Sequence, residues 1–564
     1  MKSMGWIAAS LAAAGMVVAA TFPAAVLGNS DKQSDKESSK VDERRVEAEF
    51  RTSDRCVACH NGMKSVAGEE FNIGMEWRAS LMANSSRDPY WQASVRRETL
   101  DHPEAQAEVE DECGSCHMAT EHLTSRDEGQ LSKVFVHLPL QKFPKGEHAA
   151  ADGVTCSTCH QAEQEGLGTR ATFNGNIVVA KVAEDALRPE YGPYVPDGAH
   201  QKMMQSSSRG YVPEQGEQIR SAALCASCHT LYTTARGPGG KKVGELPEQM
   251  PYQEWQHSKY SAAAAEGGQT CQECHMPVVA GQSPVTALFG PLRDNPRHHV
   301  FVGVNYVMLG MLNDHRDDLA TVAEPKELKD QVDRTKEFLR TRTAKVTITS
   351  MQPTGDGLAF EVQAENLSGH KLPTAYPSRR AWLHVVVRDG NGSVVFESGK
   401  LNGDGSIVGN DNDEDPLKFE PYYSEITRPD QVEIYEAILH DMNGKVTTGL
   451  LAATDYAKDD RLLPAGFDKA TASKDVHVIG DAANDPAFTD KGSTVRYVVP
   501  TYGAAGPFEV EAELWFQPIG YRWAHNLAPY QAMEPQRMLK YYEQSAETSA
   551  VVVARTQATS ARRK

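Results

Sequence analysis

Cys56-Val-Ala-Cys59-His60 is the first of five Cys-x-x-Cys-His motifs. The others are Cys113-Gly-Ser-Cys116-His117, Cys156-Ser-Thr-Cys159-His160, Cys225-Ala-Ser-Cys228-His229 and Cys271-Gln-Glu-Cys274-His275. The chain has ten cysteines, and these motifs use all of them. In this pattern the two thiols form thioethers to the vinyl groups of a haem, and the adjacent imidazole reaches the iron from one side. Disulfides would not require a histidine after every second cysteine. A structural zinc site pairs two Cys-x-x-Cys knuckles, or one knuckle with a spaced histidine pair. A thioredoxin-type dithiol occurs once, at a helix start in a βαβ unit. The reading is therefore five covalently bound haem c groups, with His60, His117, His160, His229 and His275 as proximal ligands.

The sixth position of each iron decides whether it is closed or open to a small molecule. Nine further histidines lie between residues 51 and 325 (His102, His122, His137, His148, His200, His257, His298, His299 and His315), more than five irons need. The favoured distal candidates are His148, just before the third motif, then His200, then one of the adjacent pair His298 and His299. His122 is too close to His117 to serve the same haem but could serve a neighbour. Met82 offers a sulfur ligand, although packing is the commoner use of methionine, and the same holds for Met118 and Met276. His370, in Asn366-Leu-Ser-Gly-His370-Lys-Leu-Pro-Thr374, sits in a Gly- and Pro-marked loop that could present an imidazole to a haem across a domain boundary. The alternative use of that loop is to pair Arg379 and Arg380 with propionates.

Outward from the motifs, the chain reads as multidomain α+β. Residues 1–28 carry Lys2 and an apolar run from Trp6 to Val26, which fits an export signal. The run is nearly long enough to span a bilayer, which leaves a membrane anchor open. Residues 29–49 are a polar spacer. Residues 50–322 form a mostly helical and irregular pentahaem region, in which the macrocycles supply the apolar interior. Within it, Trp77-Arg-Ala-Ser80 and Trp255-Gln-His-Ser258 echo each other ahead of a haem motif. Residues 323–342 are a charged linker helix opened by Pro325. Residues 343–520 switch to a period of two, with strand patterns at Lys345–Thr349, Leu358–Ala364, Trp382–Val387, Val394–Phe396, Val432–Leu439, Val495–Val499 and Phe508–Phe516. Asp389-Gly-Asn-Gly392 marks a hairpin. These strands predict an immunoglobulin-like antiparallel sandwich. Residues 521–564 read as a C-terminal helical segment, with a helix over Pro535–Ala554. Asp411, Asp413 and Asp415 alternate as in a calcium loop, but Pro416 and Tyr422 break the pattern, so a solvated acidic loop is expected.

The formal net charge of −18 excludes nucleic acid as a partner and favours basic redox proteins. Oligomeric state is left open by the sequence.

The phrases Asp152-Gly-Val-Thr-Cys156-Ser-Thr-Cys159-His160-Gln161 and Cys271-Gln-Glu-Cys274-His275-Met-Pro277 resemble multihaem cytochromes c of the cytochrome c-552/c-554 type. The resemblance covers roughly residues 50 to 310. The Gly369-His370-Lys-Leu-Pro-Thr segment resembles a C-terminal module appended to some bacterial multihaem cytochromes. The resemblance implies an exported, periplasmic or otherwise extracytoplasmic protein that passes electrons along closely packed haems. Cytochrome c-554 has four haems and no sandwich, so it does not say which haem, if any, is open. The leading expectation is electron transfer between redox partners. The alternative is a multihaem oxidoreductase acting on a small nitrogen or sulfur compound at one open haem; the Cys-x-x-Cys-Lys motif of nitrite reductases is absent. No residue outside the motifs suggests other catalysis, and the β-region reads as a docking module.

Overall fold

Few stretches between Phe50 and Leu319 carry a sustained apolar period, and the chain there folds as short helices joined by irregular runs. The computed structural model describes residues 50–143, 148–182, 186–208, 210–263, 266–355 and 357–561. The expected signal or anchor and the 29–49 spacer lie outside them. Among the described residues no helix is long and apolar enough to cross a membrane.

The longer helices of this region are α1 (Pro89–Asp101), α2 (Gln106–His117), α3 (Gly198–Ser208) and α4 (Tyr306–Asp314). α1 begins where Asp88 accepts hydrogen bonds from the N–H groups of Tyr90 and Trp91, with Pro89 at the first helical position. α2 ends on His117, so the second motif is its last turn. The third and fifth motifs are short helices, Cys156–His160 and Cys271–His275, capped by Thr155 and Thr270. The expected linker helix is α5 (Pro325–Arg342), opened by a reciprocal Glu324–Glu327 capping box and buried through Leu328, Gln331, Thr335 and Leu339.

After α5 the strands are β1 (Ala344–Pro353), β2 (Gly357–Asn366), β3 (Arg380–Arg388), β4 (Val394–Ser398), β5 (Glu425–Ile426), β6 (Ile434–Asp441), β7 (Val446–Thr447), β8 (Ala453–Asp459), β9 (Phe488–Thr489), β10 (Gly492–Pro500), β11 (Glu509–Gln517) and β12 (Val551–Thr559). One sheet runs β7-β6-β3-β11-β12, with β4 also on β3 and β8 on β6. The other runs β5-β10-β2-β1, with β9 on β10. Pairing is antiparallel except between β5 and β10. Register places Trp382 opposite Trp515, and Phe360 opposite Tyr497 with their rings parallel. One apolar cluster takes in both sheets and the α4 residues Tyr306, Met308, Leu309 and Leu312, and residues Ala48–Lys564 form one compact unit.

Two expectations are corrected here. The helix expected over Pro535–Ala554 is shorter, α6 (Met533–Ser545), and the chain then adds β12 to the sheet alongside β11. The Val551-Val-Val run and the β-branched Thr556 and Thr559 prefer a pleated, half-buried surface, which overrides helix continuation. The acidic loop is not a solvated stretch throughout. Asp413 is buried against Arg380, with Nη1 2.8 Å from its carboxylate, and also accepts from the N–H of Ile407. That pair takes Arg380 out of the expected propionate role. Among the described residues no cluster of metal-ligating side chains suits a calcium ion.

Candidate functional site

All ten motif cysteines and all five motif histidines line one connected cavity of about 2030 Å³. That is larger than the roughly 300–1,000 Å³ of a single small-ligand pocket. Apolar side chains such as Ile73, Leu81, Val95, Ile177, Leu224 and Leu309 complete the lining.

Four of the motif imidazoles are oriented in the same way. Nδ1 of His60, His117, His160 and His275 donates to the carbonyl oxygens of Val285, Ser85, Tyr191 and Val302 at 2.6, 3.0, 2.5 and 2.5 Å. An N–H fixed on Nδ1 leaves the Nε2 lone pair free for a metal. Desolvation lowers the pKa of all five rings, to about 4 for His117 and for His229, which favours the neutral form. Neutral imidazole is the form that ligates iron.

Thiols of different motifs are neighbours. Cys56 contacts Cys156, Cys116 contacts Cys228, and Cys225 contacts Cys271, while Cys159 lies near both Cys225 and Cys228. The motifs therefore order in space as first–third–fourth, with the second and fifth both joined to the fourth.

Two further imidazoles face motif histidines inside the cavity. His299 lies with its ring centroid 6.5 Å from that of His160 and the planes within 17°. His370 stands 6.2 Å from His275, within 11°. Metal–nitrogen bonds of about 2 Å on each side of one ion put two imidazole centroids about 6 Å apart. Each ring also donates Nδ1–H to a backbone carbonyl, Arg297 and Lys371 respectively, both at 3.0 Å. The donor set thus fits haem c: paired thiols, neutral imidazoles with Nε2 free, and an apolar surround.

The other sequence candidates are distributed differently. His200 and Met82 line the cavity. His122, His148 and His298 do not. His122 bonds Asp111 and Ser132. His148 packs on Phe143 and His137. His298 is held between Glu69 and Glu76; burial opposes its charge, but the hydrogen bond and charge of Glu76, with Glu69, raise its pKa. Adjacent histidines point apart, so His299 turns inward while His298 turns to the carboxylates. The abundance of histidine in the sequence is therefore not matched along the cavity wall.

The loop carrying His370 is clamped to the haem-motif region by a buried charge network that sequence reasoning missed. Glu254, in the helix Pro251–Gln256, accepts from the Lys371 N–H at 3.1 Å and from Thr374 Oγ1, and pairs with Arg461 at 3.0 Å. Arg461 and Lys371 share Asp459, each at 2.7 Å. Nothing in spacing marks Glu254 as the partner of residues more than a hundred positions away. Arg379, Tyr376, Tyr90 and Asp88, also lining the cavity, were equally silent as a group.

No family model matches the chain, and no curated protein matches it. Among solved structures, it is similar to the crystal structure of a penta-heme cytochrome c552 from Thermochromatium tepidum. The likeness has 15% sequence identity and a TM-score of 0.48, covering 91% of this chain and 100% of that one. Those figures fall short of a shared family.

Proposed function

We propose that the chain is an exported five-haem c-type cytochrome that moves electrons between redox partner proteins. The observation that carries this reading is the convergence of ten cysteines and five imidazoles on one largely apolar cavity. When bound, haem c supplies one-electron chemistry over a range of potentials set by ligand, burial and nearby charge. The chain's own groups do the rest. Each Cys pair anchors, and His60, His117, His160, His229 and His275 hold iron through Nε2. The backbone carbonyls on Nδ1 fix the orientation of four of these rings. His299 and His370, which face His160 and His275, would serve as second ligands to the irons those histidines hold, and would so exclude exogenous molecules there. The fourth motif, touching the second and the fifth and lying near the third, is the junction of the array.

The test is the intact mass and optical spectrum of protein purified from a host that exports and matures c-type cytochromes. Five haem increments and a Soret band are expected; fewer than five increments, with free thiols, would overturn the reading.

A further inference from the structure

The loop over residues 284–294 holds the first haem motif from outside. The Val285 carbonyl accepts from Nδ1 of His60 at 2.6 Å, the Ala287 N–H donates to the Cys59 carbonyl at 2.9 Å, and Thr286 Oγ1 donates to the same oxygen at 3.3 Å. The residues that follow leave apolar side chains in solvent. Leu288 and Leu292 are exposed, and Phe289 is 90% exposed with its backbone at φ 54°. That left-handed region suits glycine, and a bulky aromatic residue is held there only where its surroundings over-determine the backbone. Here the three hydrogen bonds to the motif anchor the loop. Gly290 closes it on itself, since a Cβ there would come within 2.7 Å of the Thr286 carbonyl oxygen.

Two neighbouring segments extend this apolar patch. Arg293 donates to the carbonyl of Val195 at 3.1 Å, and His200 Nε2 donates to that of Leu288 at 3.2 Å. Val195 and Met203, the latter one turn beyond His200 on α3, are exposed as well. The Tyr194 ring carries the guanidinium groups of Arg220 and Arg293 at 5.9 and 5.4 Å from its centre. Both arginines donate to backbone carbonyls, Arg220 to that of Pro193 at 3.0 Å, and among the described residues neither makes an ion pair within 4 Å. Two nearby carboxylates are already engaged, Asp197 by His200 at 2.7 Å and Asp294 by Gln282 at 2.8 Å. Aromatic residues, methionine and arginine are the types enriched where proteins meet, around an apolar centre with a polar rim. An extended anionic membrane would face the wider surface of a chain of net charge −18, whereas a small protein touches only this face.

We infer that the patch around Phe289 is the docking surface for a small electron-carrier protein that presents an apolar face ringed by carboxylates. The inference rests on the five-haem reading above. The partner's reduced cofactor loses one electron, and the ferric iron held by His60, behind the loop, gains it. The overall charge draws basic proteins to the molecule in general. Charges farther off than a screening length of about 8 Å count little, however, and this face offers guanidinium groups. A second copy of the chain, docked on this patch about a two-fold axis, would set the same arginines against each other. Redox encounters bury little area, so a patch of these few side chains suffices.

The experiment uses the oxidised holoprotein after its five haem increments are confirmed by mass, so that failure of the cofactor reading and failure of docking are told apart. Its reduction by an acidic flavodoxin in the hydroquinone state is followed by stopped flow. The methyl viologen radical cation serves as a small donor that needs no docking face. The flavodoxin rate should fall as ionic strength rises. Phe289→Asn, which keeps a left-handed backbone without the ring, should lower that rate about fivefold, while the viologen rate and the Soret band hold. Arg220→Gln combined with Arg293→Gln should lower it by about as much at low salt. Leu417→Asn, at an exposed leucine of the β-region, should change neither rate. No salt-dependent reaction with flavodoxin, or one indifferent to both variants, would overturn the docking surface and leave the cytochrome reading intact. A slower rate in the arginine variant alone, with a shifted reduction potential, would assign the guanidinium groups to haem propionates and overturn the carboxylate-rimmed partner. Binding to phosphatidylglycerol vesicles that is lost in Phe289→Asn, with the flavodoxin rate unchanged, would assign the patch to a membrane instead.

Discussion

His370 shows how much one side chain can carry. Its ring belongs to the β-region, yet it stands 6.2 Å from His275 in the fifth motif. If His370→Ala removes a second ligand, one iron should change from low to high spin in the resonance spectrum, with haem content still five per chain. His299→Ala should do the same for the iron of His160, and the double variant should give the sum of the two. His148→Ala should leave the spectrum unchanged, since that ring packs on Phe143 and His137. Glu254 makes a different prediction. Removing one member of a buried ion-pair network leaves its partners uncompensated and costs about 3–5 kcal/mol. Glu254→Ala should therefore lower the unfolding free energy obtained from guanidinium titration by an amount within that range, while Lys326→Ala, whose partner Asp330 is on the exposed face of α5, should not change it measurably. The motif histidines were legible as candidate ligands because the cysteine pair and the histidine are contiguous. The imidazoles that fold to face them were not, because such a partner is brought by folding from any distance, and composition cannot distinguish His299 from His298.

At the level of elements, periodicity served well wherever one face of a segment is buried. β2 and β11 alternate as their sequences do, and α5 presents Leu328, Thr335 and Leu339 along one face. It failed at the C-terminus, where a helix and a strand adjoin: α6 stops at Ser545, and the helix expected to Ala554 overruns into the start of the pleated run Val551–Thr559. β12 covers one edge of β11, whose other edge is held by β3. Deleting residues 551–561 exposes that edge, so the shortened chain should be less stable to denaturant and should self-associate, measurable by light scattering. The two tryptophans that echo each other in sequence make similar contacts, although Trp77 does so at the third motif and not at the second, which it precedes by 36 residues. Trp77 Nε1 donates to the carbonyl of Val154 and Trp255 Nε1 to that of Gln269, each two residues ahead of the first cysteine of a motif. In both places an indole pins the backbone that enters a Cys-x-x-Cys-His turn.

Across the whole molecule, buried carboxyls set a pH dependence. Burial pushes Glu190, Glu248 and Glu436 each up to about 7, against an ordinary value of 4.5. A carboxyl whose pKa is higher in the folded state binds more protons there than in the unfolded chain. Stability from these groups is then full below about pH 4.5 and declines as pH rises towards 7. The lowered pKa of the cavity histidines acts with the opposite sign below about pH 6.5. The test is therefore a difference: between pH 5 and pH 8 the guanidinium midpoint of Glu190→Gln should gain on that of the parent protein as pH rises, and a constant or shrinking difference would contradict the sign. The division expected near residue 322 does not appear as a break in packing, because Tyr306, Met308 and Leu312 enter the same apolar cluster as the two sheets. The wide cavity has a further bearing, on the order of events in making the protein. Where the interior between Cys56 and His275 is meant to be filled by a prosthetic group, side chains alone offer too little to drive collapse. Maturation must then precede compaction, and a chain that meets no attachment machinery should stay open to proteases along its first half while its second half is already resistant.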